Sequence, residues 1–259
     1  NYSWWKKRIR LTLRYYDYIR IDHFRGLEAF WEIEASEETA VKGKWMKGPG
    51  KRFLESLSAE FGKLPFIAED LGFITPEVNI LKRIFGLPGM KILQFTPLEE
   101  GLADKDINLV YYSGTHDNDT LLGWVKARKL QDEESLQSAG SAADNTVRNM
   151  YEIKDNWDRN KSREDAANAD KMKEDEDEVS EDAKMKIACR KLMEDLYLSP
   201  AAWVIIPMQD ILGLDTNARI NIPGTVGGKN WQWQMSPSLL TDEVKTWLGT
   251  LALKSERYP

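Results

Sequence analysis

The sequence predicts an α/β fold built on a parallel sheet, and three observations carry that expectation. Short apolar runs that read as strands alternate with amphipathic helical segments in the order strand, loop, helix, the pattern of parallel strands joined by crossover helices. Three acid-bearing motifs, Arg20 to Gly26, Ala68 to Gly72 and Gly114 to Thr120, close or follow such runs. The two histidines of the chain, His23 and His116, stand beside acids of the first and third motifs. Acids delivered at the ends of successive strands are how a barrel of parallel strands builds an active site.

Taken in order, residues 4–16 form a helix with Trp5, Ile9 and Leu13 on one face. No Met precedes it and the helix is already in mid-fold, so a segment upstream is expected. Residues 16–22 alternate as a strand, with Ile19 and Ile21 on the face toward outer helices and Tyr18, Arg20 and Asp22 on the other. Residues 43–50 form a loop rich in breakers, and a helix over Gly50 to Phe61 buries Phe53, Leu54 and Leu57. Leu64 to Ala68 is a short strand ending at Glu69. A loop leads to Thr75 as N-cap, with Pro76 at the first position of a helix running to Phe85 and stopped by Gly86. Met90 to Phe95 and Leu109 to Tyr112 are further strands.

From about 130 to 186 the chain turns strongly polar, with a like-charge run over 174–178, and reads as a solvated, acid-rich helical insertion. The run lacks the alternating ligands and glycine of a calcium loop. A helix near 186–198 follows, with Ile187, Leu192 and Leu196 inward, then a buried strand from Trp203 to Pro207. Residues 218–225 are a polar loop, Trp231 and Trp233 share a face if extended, and a helix over Ser238 to Ala252 packs through Leu240, Val244 and Leu248.

Composition narrows the class. With 42% hydrophobic and 30% charged residues the chain is ordinary for a soluble protein of one large or two small domains. No apolar stretch approaches the roughly 20 residues that span a bilayer, so no membrane partner is expected. A net charge of −6 argues against nucleic acid. The single cysteine, Cys189, excludes an internal disulfide and suits a reducing compartment, cytoplasmic or, in a plant or alga, plastidic. The ten tryptophans fit core packing and sugar stacking alike.

Cutting a glycosidic bond takes one ionised and one protonated carboxyl group. Asp22, beside Arg20, suits the ionised partner, since a neighbouring cation favours the charged form. Glu69, after Phe66, Ile67 and Ala68, suits the protonated one, because apolar surroundings favour the neutral form. Asp117 adds a third charge, with His116 as a hydroxyl donor beside it. Plainer readings stand next to these. Asp22 and His23 also fit a strand-end hydrogen-bond pair, Glu69 and Asp70 a helix-start acid cluster, and residues 116–119 an Asx-rich turn or half of a metal site. Two histidines and scattered acids make a poor zinc constellation, so neither metal nor cofactor is expected.

The three motifs resemble the signature motifs of the 4-α-glucanotransferases, the amylomaltase or disproportionating-enzyme family (glycoside hydrolase family 77), related to the α-amylases. Gly89 to Phe95, Gln209 to Gly213, and Arg219 to Thr225 before Asn230 and Trp231 resemble the family too. Two departures accompany the match: Glu99 to Asn108 lacks a Pro-His pair the family often carries, and Gln234 stands where arginine is frequent.

The resemblance implies a (β/α)8 TIM barrel acting on α-1,4-glucans and maltooligosaccharides, with glucose as an acceptor and with retention of configuration. It makes Asp22 the nucleophile, Glu69 the general acid/base and Asp117 the transition-state stabiliser. It makes Arg20, His116, Phe95, Asn221 and Pro223 substrate-binding residues. It also implies that residues 1–259 are the C-terminal portion of the barrel, strands four to eight with their helices. Such an open sheet is expected to associate with copies of itself or with a missing N-terminal half. The alternatives are a fragment that only binds glucan and an α-amylase-like hydrolase, which uses the same carboxylates.

Overall fold

The computed structural model describes residues 1–96, 107–138 and 180–257. The chain divides into two compact units, one comprising Asn1–Lys91, Lys105–Tyr111 and Ala201–Trp203, the other Ile92–Asp104, Tyr112–Pro200 and Val204–Pro259. In chain order the elements are α1 (Ser3–Thr12), β1 (Ile19–Ile21), α2 (Arg25–Glu28), β2 (Ala29–Glu32), β3 (Lys44–Lys47), α3 (Gly50–Phe61), β4 (Phe66–Ala68), α4 (Pro76–Ile84), β5 (Gly89–Ile92), β6 (Leu109–Tyr112), α5 (Leu121–Ser138), α6 (Glu181–Leu198), β7 (Trp203–Ile205), α7 (Met208–Ile211) and α8 (Asp242–Lys254).

In the first unit β1 and β4 pair in parallel, Ile19 opposite Phe66 and Ile21 opposite Ala68. The Ala68 N–H donates to the carbonyl of Pro88, one residue before β5 (2.8 Å), and a second sheet runs in the order β5-β6-β7. Lateral order thus follows chain order, β2 and β3 standing aside as a hairpin. Tyr18, at the foot of β1, meets Trp203 of β7 edge to face at 4.6 Å between ring centroids. Phe53, Leu54 and Leu57 of α3 and Val78 and Leu81 of α4 are buried with Phe24, Phe66 and Ala68. Each of the Phe, Leu and Val side chains contributes about 1.5–3 kcal/mol by leaving water. Ile19 and Ile21 lean on this cluster, as the alternation of the strand predicts.

The helix over Gly50 to Phe61 and the strand over Leu109 to Tyr112 have the predicted bounds. Elsewhere tertiary context overrode the local pattern. Residues 44–47 are not loop but strand, paired antiparallel with β2 so that Trp31 faces Trp45; a cross-strand aromatic pair of this kind stabilises a ribbon. Trp5 is 46% exposed, leaving Ile9 as the buried member of its helix face. The run from Met90 tightens into a 3-10 turn at Leu93–Phe95 instead of continuing as strand. Thr75 holds the N-cap position in extended conformation ahead of Pro76, but its hydroxyl makes no cap bond. Gly86, at φ +61°, closes the turn after α4 in a conformation that disfavours side chains.

In the second unit α6 begins at Glu181, where Ser180 accepts from the Ala183 N–H. Its inner face is Cys189, Leu192, Met193 and Leu196, while Ile187, expected inward, is 55% exposed. The predicted buried strand at Trp203 is half open, with Trp203 37% and Ile205 43% exposed, because β7 is the edge of its three-stranded sheet. The start and end of the predicted polar insertion are helical, in α5 and α6; residues 139–179 lie outside the described residues. The closing helix starts later than predicted, with Thr241 accepting from the Val244 N–H, and buries Leu251.

Candidate active site

The first unit places Arg20, Asp22 and Glu69 at the C-terminal ends of two neighbouring parallel strands. Asp22 and Glu69 are the next residues after the last registered pair, Ile21 with Ala68. The Glu69 N–H donates to the Ile21 carbonyl (3.0 Å), so the register carries one step further. Adjacent strands lie about 4.8 Å apart. Arg20 donates to Asp22 Oδ1 (2.8 Å) and, through Nε, to the Met90 sulfur (3.3 Å). The neighbour relation of Arg20 and Asp22 expected from strand alternation is therefore present.

Around Glu69 the surroundings differ from the apolar setting expected. Its carboxylate accepts from the His23 N–H (2.6 Å) and the Leu71 N–H (3.1 Å), donors supplied by the two turns that end the strands. His23 contributes backbone, not imidazole, and stands at φ +47°, a left-handed conformation uncommon for a side-chain-bearing residue. Asp70 is no helix-start acid. It pairs with Lys82 of α4 (2.5 Å) and accepts from the Met90 N–H of β5 (2.7 Å). A Cβ on Gly89 would stand 2.5 Å from the Asp70 carboxylate, so glycine makes room for this bracket. Arg25 lies over the rings of Trp45 (4.1 Å) and Phe73 (5.2 Å) and donates to the Phe73 carbonyl (3.0 Å), tying the hairpin to the loop after Glu69.

His116, Asp117 and Asn221 come together in the second unit. Asn221 donates to Asp117 Oδ1 (2.7 Å), Arg219 donates to the Asp117 carbonyl (2.6 Å), and the His116 ring lies 3.4 Å from Asp117 Oδ2. Trp231 rests on His116, ring centroids 5.1 Å apart. Trp231 takes φ +61°, so the segment is not extended there and the condition for Trp231 and Trp233 to share a face is not met. Asn118 Oδ1 accepts from the N–H and hydroxyl of Thr115, making the segment an Asx turn as one sequence reading held. Phe95 is 66% exposed at the end of its 3-10 turn, and the adjacent Gln94 donates to the Asp119 carbonyl (2.8 Å). Pro223 is exposed two residues beyond Asn221.

A family model described as 4-alpha-glucanotransferase matches residues 1–241, a span that holds all three motifs. The chain belongs to this family. The 4-alpha-glucanotransferase of Streptococcus pneumoniae is 39% identical over 250 residues, covering 95% of this chain and 42% of the relative. That of Thermus thermophilus is 36% identical over 265 residues, covering 99% and 46%. Among solved structures, an amylomaltase from Streptococcus agalactiae in complex with acarbose superposes with a TM-score of 0.70 at 27% identity, over 100% of this chain and 45% of that one. The chain therefore spans less than half the length of these 4-alpha-glucanotransferases. Among the described residues no helix is long and apolar enough to cross a membrane.

The motifs did not single out Arg219, Asn118, Trp231, Asp70 or Asp210, each of which holds a candidate residue or its segment. Asp70 and Asp210 were legible only as members of conspicuous segments. Their partners, Lys82 and Ser113, are chosen by the fold.

Proposed function

We propose that this chain belongs to a 4-α-glucanotransferase that passes a segment of an α-1,4-glucan to glucose or a maltooligosaccharide by retaining double displacement. The observation that carries the reading is the family match over 1–241, with Asp22, Glu69 and Asp117 all inside it. Asp22 attacks the anomeric carbon as Glu69 protonates the departing glycosidic oxygen, leaving a glucosyl ester on Asp22. Glu69, now a carboxylate, takes the proton of the incoming sugar hydroxyl, which displaces Asp22 and restores both groups. Asp117, oriented by Asn221, stabilises the oxocarbenium-like transition state. Arg20, His116, Phe95, Asn221 and Pro223 line the glucan. Support for the first two roles comes from the Arg20–Asp22 ion pair and the adjacent positions of Asp22 and Glu69 on paired strands.

The fold reading that goes with it is a stretch of (β/α)8 barrel, strands four to eight, making residues 1–259 one portion of a catalytic barrel. Lateral order that follows chain order supports it, as does the contact of Tyr18, just before β1, with Trp203 of β7. A cytoplasmic setting fits the single buried cysteine. A second reading, glucan binding without turnover by these 259 residues, is motivated by their covering 42% of the S. pneumoniae relative. Incubation with maltotriose and chromatography separates the readings. Glucose together with longer maltooligosaccharides is the expected outcome for transfer. Shorter sugars alone mean hydrolysis, and retention of maltotriose without products favours binding only.

A further inference from the structure

Asp210 lies outside the acid motifs and has no part in the steps above, yet it is 2% exposed and both its carboxylate oxygens are engaged. Oδ2 accepts from the Ser113 hydroxyl (2.6 Å), and Oδ1 accepts from the Leu121 N–H (2.7 Å). Ser113 is the residue just before Gly114, and Leu121 the residue just after Thr120. One carboxylate thus takes hold of the chain at both ends of the segment that carries His116 and Asp117.

We infer that Asp210 is a positioning residue, a clasp that sets the span of the Gly114–Thr120 segment and so the direction in which Asp117 points. The inference rests on the proposed role of Asp117. Ser113 directly follows β6 and Leu121 opens α5, so the anchor points stand where the regular elements meet the segment, while the seven residues between them form a turn. Bonds inside the segment, from the Thr115 N–H to Asn118 Oδ1 and from the Thr120 N–H to Asp119 (2.7 Å), shape the turn without linking its two ends. From outside, Asn221 and Arg219 grip Asp117 at the tip. Gln94 and Thr216 hold Asp119 near one end, and Asp210 is the group that bonds to both flanks. Burial pushes its carboxyl up to about 6, the Ser113 and Leu121 bonds pulling the other way and the nearby Asp119 adding to the rise. A clasp needs hydrogen bonds and not charge, so a carboxamide suffices: the Asn oxygen accepts from Leu121 N–H and its NH2 donates to the Ser113 oxygen.

The test uses the full 259-residue chain with 13C-labelled histidine. There are two histidines, and a His23→Gln variant assigns the His116 signal. Asp210→Ala is expected to shift or broaden the His116 signal, since its neighbours Asp117 and Trp231 lose their fixed positions, while Asp210→Asn leaves it at the wild-type position. Ser113→Ala, which opens one end only, gives an intermediate shift and serves if Asp210→Ala fails to fold. An unmoved His116 signal in folded Asp210→Ala or in Ser113→Ala overturns the inference, as does an Asn variant displaced as far as the Ala variant. In a preparation that disproportionates maltotriose, Asp210→Ala lowers kcat by about 10- to 100-fold with little change in KM, and Asn restores it. The histidine signal needs no substrate, so an inactive wild type would sink the transferase reading alone.

Discussion

Two aspartates, half-buried Asp70 in the first unit and buried Asp210 in the second, brace the segments that carry Glu69 and Asp117, and they do so by opposite electrostatics. Asp70 faces a cation, Lys82, and one backbone N–H. Asp210 accepts only neutral donors, a hydroxyl and a backbone N–H, through its carboxylate. In the first case charge is matched inside the fold, and removing either partner strands the other. In the second the charge itself is a burden, and the hydrogen-bond pattern is what the fold uses. Identical residue types therefore predict opposite responses to neutralisation.

The comparison presumes that Glu69 and Asp117 both serve the reaction, and the largest effect tests that. Glu69→Gln is expected to lower maltotriose disproportionation by about 10²–10⁴-fold, the range a positioned acid/base supplies; turnover within a few-fold of wild type would remove Glu69 from that role. Next, Lys82→Met should destabilise the chain by about 1–3 kcal/mol in urea denaturation, leaving the half-buried Asp70 carboxylate without its cation. A loss under about 1 kcal/mol, typical of exposed pairs, would erase the contrast between the two aspartates.

Asp210→Asn should go the other way. The folded chain holds the Asp210 proton up to about pH 6, whereas the unfolded chain releases it near the ordinary 3.8. The resulting stability is full below that lower value and is lost as pH rises through about 6. Asn does not ionise, so the variant should be more stable than wild type at pH 7, by at most ~3 kcal/mol, with the gain vanishing below about pH 4. Denaturation curves at pH 4 and 7 read the sign directly, and a variant weaker than wild type at pH 7 breaks the comparison. The smallest effect is expected from Asn221→Ala. Loss of one bond to Asp117 Oδ1 should cost about tenfold in kcat, roughly 1.4 kcal/mol, with the fold intact by circular dichroism.

How much of this was readable beforehand divides along physical lines. Helix α3 was legible to its ends because its 3.6-residue stripe of Phe53, Leu54 and Leu57 matches what the helix buries. The Arg20–Asp22 pair was legible because strand alternation places both on one face. The hairpin of β2 and β3 was hidden, since its glycines and proline read locally as loop while Trp31 and Trp45 meet only once the strands pair. The environment of Glu69 was misread for a related reason. Its neighbours in sequence are apolar, but its neighbours in space are N–H groups of His23 and Leu71.

By itself, then, the sequence determined which acids are available, the strand endings that present them, and the family, because motif spacing and local periodicity are properties of contiguous residues. Only the tertiary structure decided what holds those acids still. Lys82 reaches Asp70 across 12 positions, Asn221 reaches Asp117 across 104, and Asp210 reaches Ser113 across 97. Hydrogen bonds between groups so far apart along the chain depend on how elements pack, and no local pattern encodes them.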